Sequence, residues 1–183
     1  MTEADVAYVH ANYLSLEQAS VGRPESPEDV RRLIAENKLP KPSYVLPDGT
    51  EMVPADYFLL ADAGREEFTR RFLGAGGDPA AVDEEWQGYL SGAYGVCLKE
   101  QTAENIARKE QLVTLIEGLL DPPQPQDAGW RDQLRTSVDE LDALERPFAP
   151  DYDRARWGPS SRDRCITGAR ERFPDVFVEA AVG

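Results

Sequence analysis

Histidine is almost absent from this sequence: His10 stands alone in 183 residues. Zinc sites that need imidazoles in pairs, the HExxH helix among them, are therefore excluded. Cysteine is nearly as scarce. Cys97 and Cys165 lie far apart without a CxxC spacing, so they read as reduced thiols rather than a disulfide framework. Long apolar runs are missing as well. The longest, Tyr57-Phe58-Leu59-Leu60-Ala61, falls far short of the ~20 residues that span a bilayer. The N-terminus has no basic, apolar, small-residue leader pattern, so a cytoplasmic location without membrane contact is expected. GxGxxG and P-loop patterns are also lacking, and no bound cofactor or metal is expected.

Positive charge is in short supply: 20 Lys and Arg face 34 Asp and Glu, a net charge of −14. Such a surface repels phosphate backbones, so nucleic acid is not an expected partner. What is present suffices to fold, since a chain of this length with 41% apolar residues can bury one substantial core or two small ones. Any chemistry must come from carboxylates, arginines, tyrosines or a thiol.

The N-terminal third is punctuated by helix starts. Thr2 with Asp5, and Ser15 with Gln18, have capping-box spacing and predict helices over roughly residues 3–13 and 16–21. Ser26-Pro27-Glu28-Asp29 is stronger still: a serine cap, a first-turn proline and two acids over the positive helix end. That helix runs to Pro40 with Val30, Leu33 and Ile34 inward. Two β-prone runs around Pro47-Asp48-Gly49 then predict a small hairpin over 43–53.

In the middle, Pro54 opens a helix to Ala63, Gly64 separates it from a second over 65–73, and Asp78-Pro79 restarts another bearing Val82, Trp86, Tyr89 and Leu90. Gly92 and Gly95 frame small residues, which suggests backbone lying close to another element: a buried connection or the floor of a pocket. Cys97 within it reads as a neutral thiol in contact with substrate; the one available activator is the helix beginning after Thr102. That helix runs to Leu120 at a 3.6-residue period. The Pro-rich connector 121–127 leads to another with Trp130, Leu134, Val138, Leu141 and Leu144 on one face, and the two are expected to pack antiparallel.

Beyond Arg146 the pattern has no helix or strand period, so an irregular, aromatic-bearing strap over the helices is expected. Between Arg146 and Arg172 seven arginines face four acids, a basic island in an acidic chain. Arg154, Arg162 and Arg164 are candidate anchors for an anionic substrate; the alternative is that these arginines neutralise the protein's own carboxylates. Asp151 and Asp153 flank Tyr152, and in an extended segment both carboxylates would project to one side. Two aspartates under-supply a metal, so a raised-pKa acid beside a pocket is the preferred reading. The candidate catalytic set is Asp151, Asp153 and Glu104 as proton carriers, with Tyr94 and Tyr152 as hydrogen-bond donors.

The order of helix, short helix, helix and hairpin over Leu14 to Tyr57 resembles the winged helix-turn-helix of the MerR and excisionase type. In that family the helix after the turn enters DNA, which here would be the one carrying Arg31, Arg32 and Lys38. Residues 1–60 hold ten acids against five bases, however, so the resemblance implies scaffold or protein-binding use rather than DNA binding. Three longer segments, Tyr44 to Glu51, Tyr89 to Leu98 and Arg146 to Arg154, are together similar to a poorly characterised actinobacterial family named for natural-product biosynthesis clusters. That resemblance implies a role in small-molecule biosynthesis.

The expected architecture is mainly α: a winged-helix-like unit with a small β-hairpin (1–60), a helical bundle (61–146) and an irregular strap (147–183), as units or as one compact domain. The expected function is cofactor-independent acid/base chemistry on an anionic small molecule, such as cyclisation, dehydration or isomerisation. The alternative is a non-catalytic adaptor or regulator that binds a protein partner.

Overall fold

The computed structural model describes residues 1–147 and 150–178. Phe148, Ala149 and residues 179–183, all assigned to the strap above, lie outside the described residues.

Helices α1 (Glu3–Asn12), α2 (Leu16–Ala19) and α3 (Pro27–Ala35) start at Thr2, Ser15 and Ser26. Each closes a reciprocal capping box, satisfying backbone donors that a helix end leaves open, at about 1 kcal/mol apiece. Strands β1 (Leu14–Ser15), β2 (Tyr44–Val45) and β3 (Glu51–Val53) form an antiparallel sheet in the order β1-β3-β2. The hairpin is the one expected from Pro47-Asp48-Gly49, whereas β1 is an addition: two residues are too few to carry a period. Strand alternation splits the sheet between two cores. Tyr44 and Met52 enter one with Val9, Tyr13 and Val96; Val53 enters the other with Leu16, Val30 and Tyr57.

The helical middle begins with α4 (Leu59–Gly74), broken at Gly64, whose φ of 83° only glycine adopts without strain. Phe68 and Phe72 from it stack at 5.5 Å and pack with Trp86 of α5 (Val82–Leu90). Helix α5 starts later than Asp78-Pro79 suggests, because the Asp78 carboxylate accepts from the Ala80 amide and closes a separate turn first. Next comes α6 (Ala93–Cys97). At Gly92 a side chain would collide with the Lys41 carbonyl, and at Gly95 with the Ser43 hydroxyl, so the two glycines let α6 sit directly on the chain before β2.

Helices α7 (Ala103–Leu120) and α8 (Ala128–Leu144), capped by Thr102 and Asp127, pair antiparallel as expected. The Trp130 indole donates to the Leu119 carbonyl at one end, and Arg108 grips Glu140 at the other. Between them Leu112, Ile116, Leu134, Val138 and Leu141 are wholly buried, each stabilising the fold by roughly 1.5–3 kcal/mol relative to exposure.

The C-terminal segment corrects the expectation of an irregular strap. It is helical in pieces: α9 (Pro150–Trp157), a π-helical turn (Arg162–Thr167), α10 (Gly168–Arg172) and α11 (Pro174–Phe177). Gly158, the wide π turn and Pro174 interrupt it so often that no stretch is long enough to display a 3.6-residue pattern. Cys165, Ile166, Ala169 and Val176 nonetheless complete the α7–α8 core. The protein is thus mainly helical with one small antiparallel sheet, and among the described residues no helix is long and apolar enough to cross a membrane.

Candidate functional site

Where α6, α9 and the π-helical turn converge they enclose a cavity of about 370 Å³, within the range of small-molecule sites. Ala93, Val96 and Cys97 come from α6, Pro147 from the chain after α8, and Asp153, Arg154 and Trp157 from α9. Ser160, Ser161, Arg162, Asp163 and Thr167 complete it from the following turn. Most of the lining is apolar, with a few polar groups converging.

Four residues singled out in the sequence line this cavity: Asp153, Arg154, Arg162 and Cys97. Asp153 is 6% exposed and takes a 2.8 Å hydrogen bond from the Tyr44 hydroxyl, with Arg156 Nη1 at 3.9 Å from its other oxygen. Burial, with Tyr13 and Asp153 nearby, raises the Tyr44 hydroxyl far above its ordinary range, so it stays a donor. Cys97 is partly buried and its thiol is pushed up to about 12 by burial, which makes it an inert contact and not a thiolate nucleophile.

The remaining candidates go elsewhere. Asp151 and Asp153 do not share a side, because α9 is helical: residues two apart point nearly opposite ways, and Asp151 is exposed while Asp153 is buried. Tyr152 packs on Tyr44 at 6.2 Å under the Arg156 guanidinium and does not line the cavity. Tyr94 donates to Glu85, a carboxyl raised by burial, on the far side of α6. Glu104 sits exposed in the first turn of α7, 4.0 Å from Arg71. Arg164 turns outward to Glu117 and the Pro159 carbonyl.

The arginines of the basic island are engaged with the protein itself. Arg154 donates twice to Asp163. Arg162 binds Asp142 at 2.5 Å and the carbonyls of Arg146 and Glu145. Arg170 reaches Asp139 and Asp142, Arg156 the Ser43 carbonyl, and Arg172 the Leu120 carbonyl. Hydrogen bonds from Arg154, joined by Ser160, hold Asp163 down to about 2, so it is a carboxylate at any physiological pH. Asp142 also lies below its ordinary value, its burial outweighed by Arg170 and Arg162. In the N-terminal third Arg31 pairs with Glu17 and Glu51, Arg32 with Asp29, and Lys38 with Glu36.

Other residues at and behind the cavity escaped the sequence reading, two sets of them although a signal was there. Ser160 and Asp163 have the S-x-x-D spacing of a capping box and form one, each backbone amide bonded to the other side chain. Glu145 follows Leu141 by four residues and so extends the buried stripe of α8 with a carboxyl, which is completely buried. Tyr44 reaches Asp153 across more than a hundred residues, and nothing local announces that contact.

The molecule is therefore a mainly helical protein with a half-enclosed cavity beside its C-terminal helices. Residues 68–174 match the family described as Family of unknown function (DUF6058), and the chain belongs to that family. The matched stretch runs from within α4 to Pro174 and contains every residue of the cavity lining. Neither the curated proteins nor the solved structures include a match to this chain.

Proposed function

We propose that the cavity is the working site, that it takes a compact and largely apolar small molecule, and that Asp153 moves a proton to or from it. The observation that carries this reading is the convergence of Asp153, Ser161 and Arg162 on one apolar-lined cavity. A carboxylate at 6% exposure, aligned by a tyrosine that stays protonated, is an oriented acid/base group in a water-poor setting. Cyclisation, dehydration and isomerisation are steps such a group performs, and the resemblance to natural-product proteins supports a place in small-molecule biosynthesis. The adaptor alternative draws less support, because Leu16 and Val30 of α2 and α3 are buried in a core.

Trp157 makes the test direct. It is 50% exposed in the cavity lining, whereas Trp86 and Trp130 are buried in the cores. Native mass spectrometry of the protein mixed with a metabolite extract identifies the retained compound, which is then titrated against intrinsic fluorescence. The expected result is a saturable change that Trp157→Phe abolishes, with turnover reduced about a hundredfold or more in Asp153→Asn. Full turnover in Asp153→Asn removes the proton-carrier assignment; retention of the compound with no response from Trp157 removes the cavity.

A further inference from the structure

Behind Ser161 of the cavity wall stands a carboxyl that the proposed chemistry does not use. Glu145 is completely buried at the end of the α8 stripe, a position costing several kcal/mol for a charged group unless it is matched by partners. Its Oε1 accepts from the Ser161 hydroxyl, while no hydrogen bond reaches Oε2 among the described residues. Lys109 from α7 and Arg162 from the π-helical turn face it favourably and Asp142 of α8 unfavourably; burial prevails and holds the carboxyl above its ordinary value. Ser161 itself stands in the cavity lining.

A serine hydroxyl has one proton to give and two lone pairs to offer. At Ser161 the proton is spent on Glu145, so the atom presented to the cavity is an acceptor. The cationic groups of the lining are spent as well: Arg154 on Asp163, Arg162 on Asp142 and two carbonyls. An anionic ligand would meet no open guanidinium fork and would stand beside the carboxylate of Asp163. We infer that the cavity selects neutral molecules carrying a hydroxyl or N–H donor on an apolar ring or chain, and that Ser161, held by Glu145, accepts that donor. This inference rests on the cavity being the working site and names the class of ligand it takes.

Three probes with one aromatic body separate the possibilities: β-naphthol, its methyl ether and β-naphthoate, each titrated by calorimetry. The donor-bearing β-naphthol is expected to bind about tenfold tighter than either of the others, the effect of one well-placed hydrogen bond. Ser161→Ala should erase that margin while leaving the affinity for the methyl ether unchanged, which also shows that the cavity is intact. Glu145→Gln, which leaves the serine proton less firmly committed, should narrow the margin. Equal binding of naphthol and its ether, or a margin that survives Ser161→Ala, overturns the role of Ser161 while the cavity stands. Tightest binding of naphthoate overturns the preference for neutral molecules and restores the arginines as an anion site. Failure of all three probes to bind removes both this inference and the cavity reading.

Discussion

Helices α7 and α8 bury Leu112, Ile116, Leu134 and Leu141 against one another, and their junction is mostly a matter of apolar area. The segment 150–178 covers the same core yet is fastened differently. Besides adding Cys165, Ile166, Ala169 and Val176 to that core, it is tied down by arginines on both sides: Arg162 and Arg170 to Asp142, Arg172 to the Leu120 carbonyl, and Arg131 of α8 to the Asp175 carbonyl. Apolar packing tolerates small displacements, whereas a guanidinium fork demands a particular place for each oxygen. The cavity is built along the second kind of contact, where side-chain geometry fixes the backbone.

Perturbing each region in turn sharpens this contrast. The largest effect belongs to Leu134→Ala, which leaves a void in the helix pair and should cost about 3 kcal/mol in global stability, read from the denaturant midpoint. Arg162→Ala comes next. It strands two carbonyls and leaves Asp142 with Arg170 alone, and should cost about 2 kcal/mol, felt mainly as faster amide exchange over residues 162–172 with little change in α7. Equal acceleration in both regions would abolish the distinction drawn here. The smallest effect is a pH dependence. With its pKa depressed to about 2 in the folded protein, Asp163 contributes stability that is complete above the unfolded value near pH ~4. That contribution disappears as pH falls through about 2. Because Arg154 is half exposed, the amount is about 1 kcal/mol or less, and Arg154→Ala should flatten this part of the acid-unfolding curve.

The same contrast explains how much was legible in the sequence. Thr2, Ser15, Ser26 and Thr102 announced their helices because capping is decided within a few residues. Gly64, Gly92 and Gly95 announced breaks and close approach for an equally local reason, the absence of a side chain. The cavity was legible only in outline. Its neighbourhood followed from the paired glycines and the arginine-rich stretch, but the partner of Asp153 is Tyr44 and the partner of Ser161 is Glu145, and such pairings are set by tertiary folding. The reading of Asp151 and Asp153 as a matched pair failed for one reason: an extended backbone was assumed where α9 is helical.

The π-helical turn at Arg162–Thr167 gives that local failure a wider meaning. A π turn holds about one residue more than an α turn, so the side chains after it are displaced by about 100° in phase from those before it. From this single short rod Arg162, Asp163 and Thr167 reach the cavity while Cys165, Ile166 and Ala169 reach the core. One element thus serves two surfaces at once, and the surplus residue sets the phase of the side chains that follow it. It also makes the spacing between Ser161 and Ala169 a fixed length: the cavity depends on how many residues lie there, as well as on which ones.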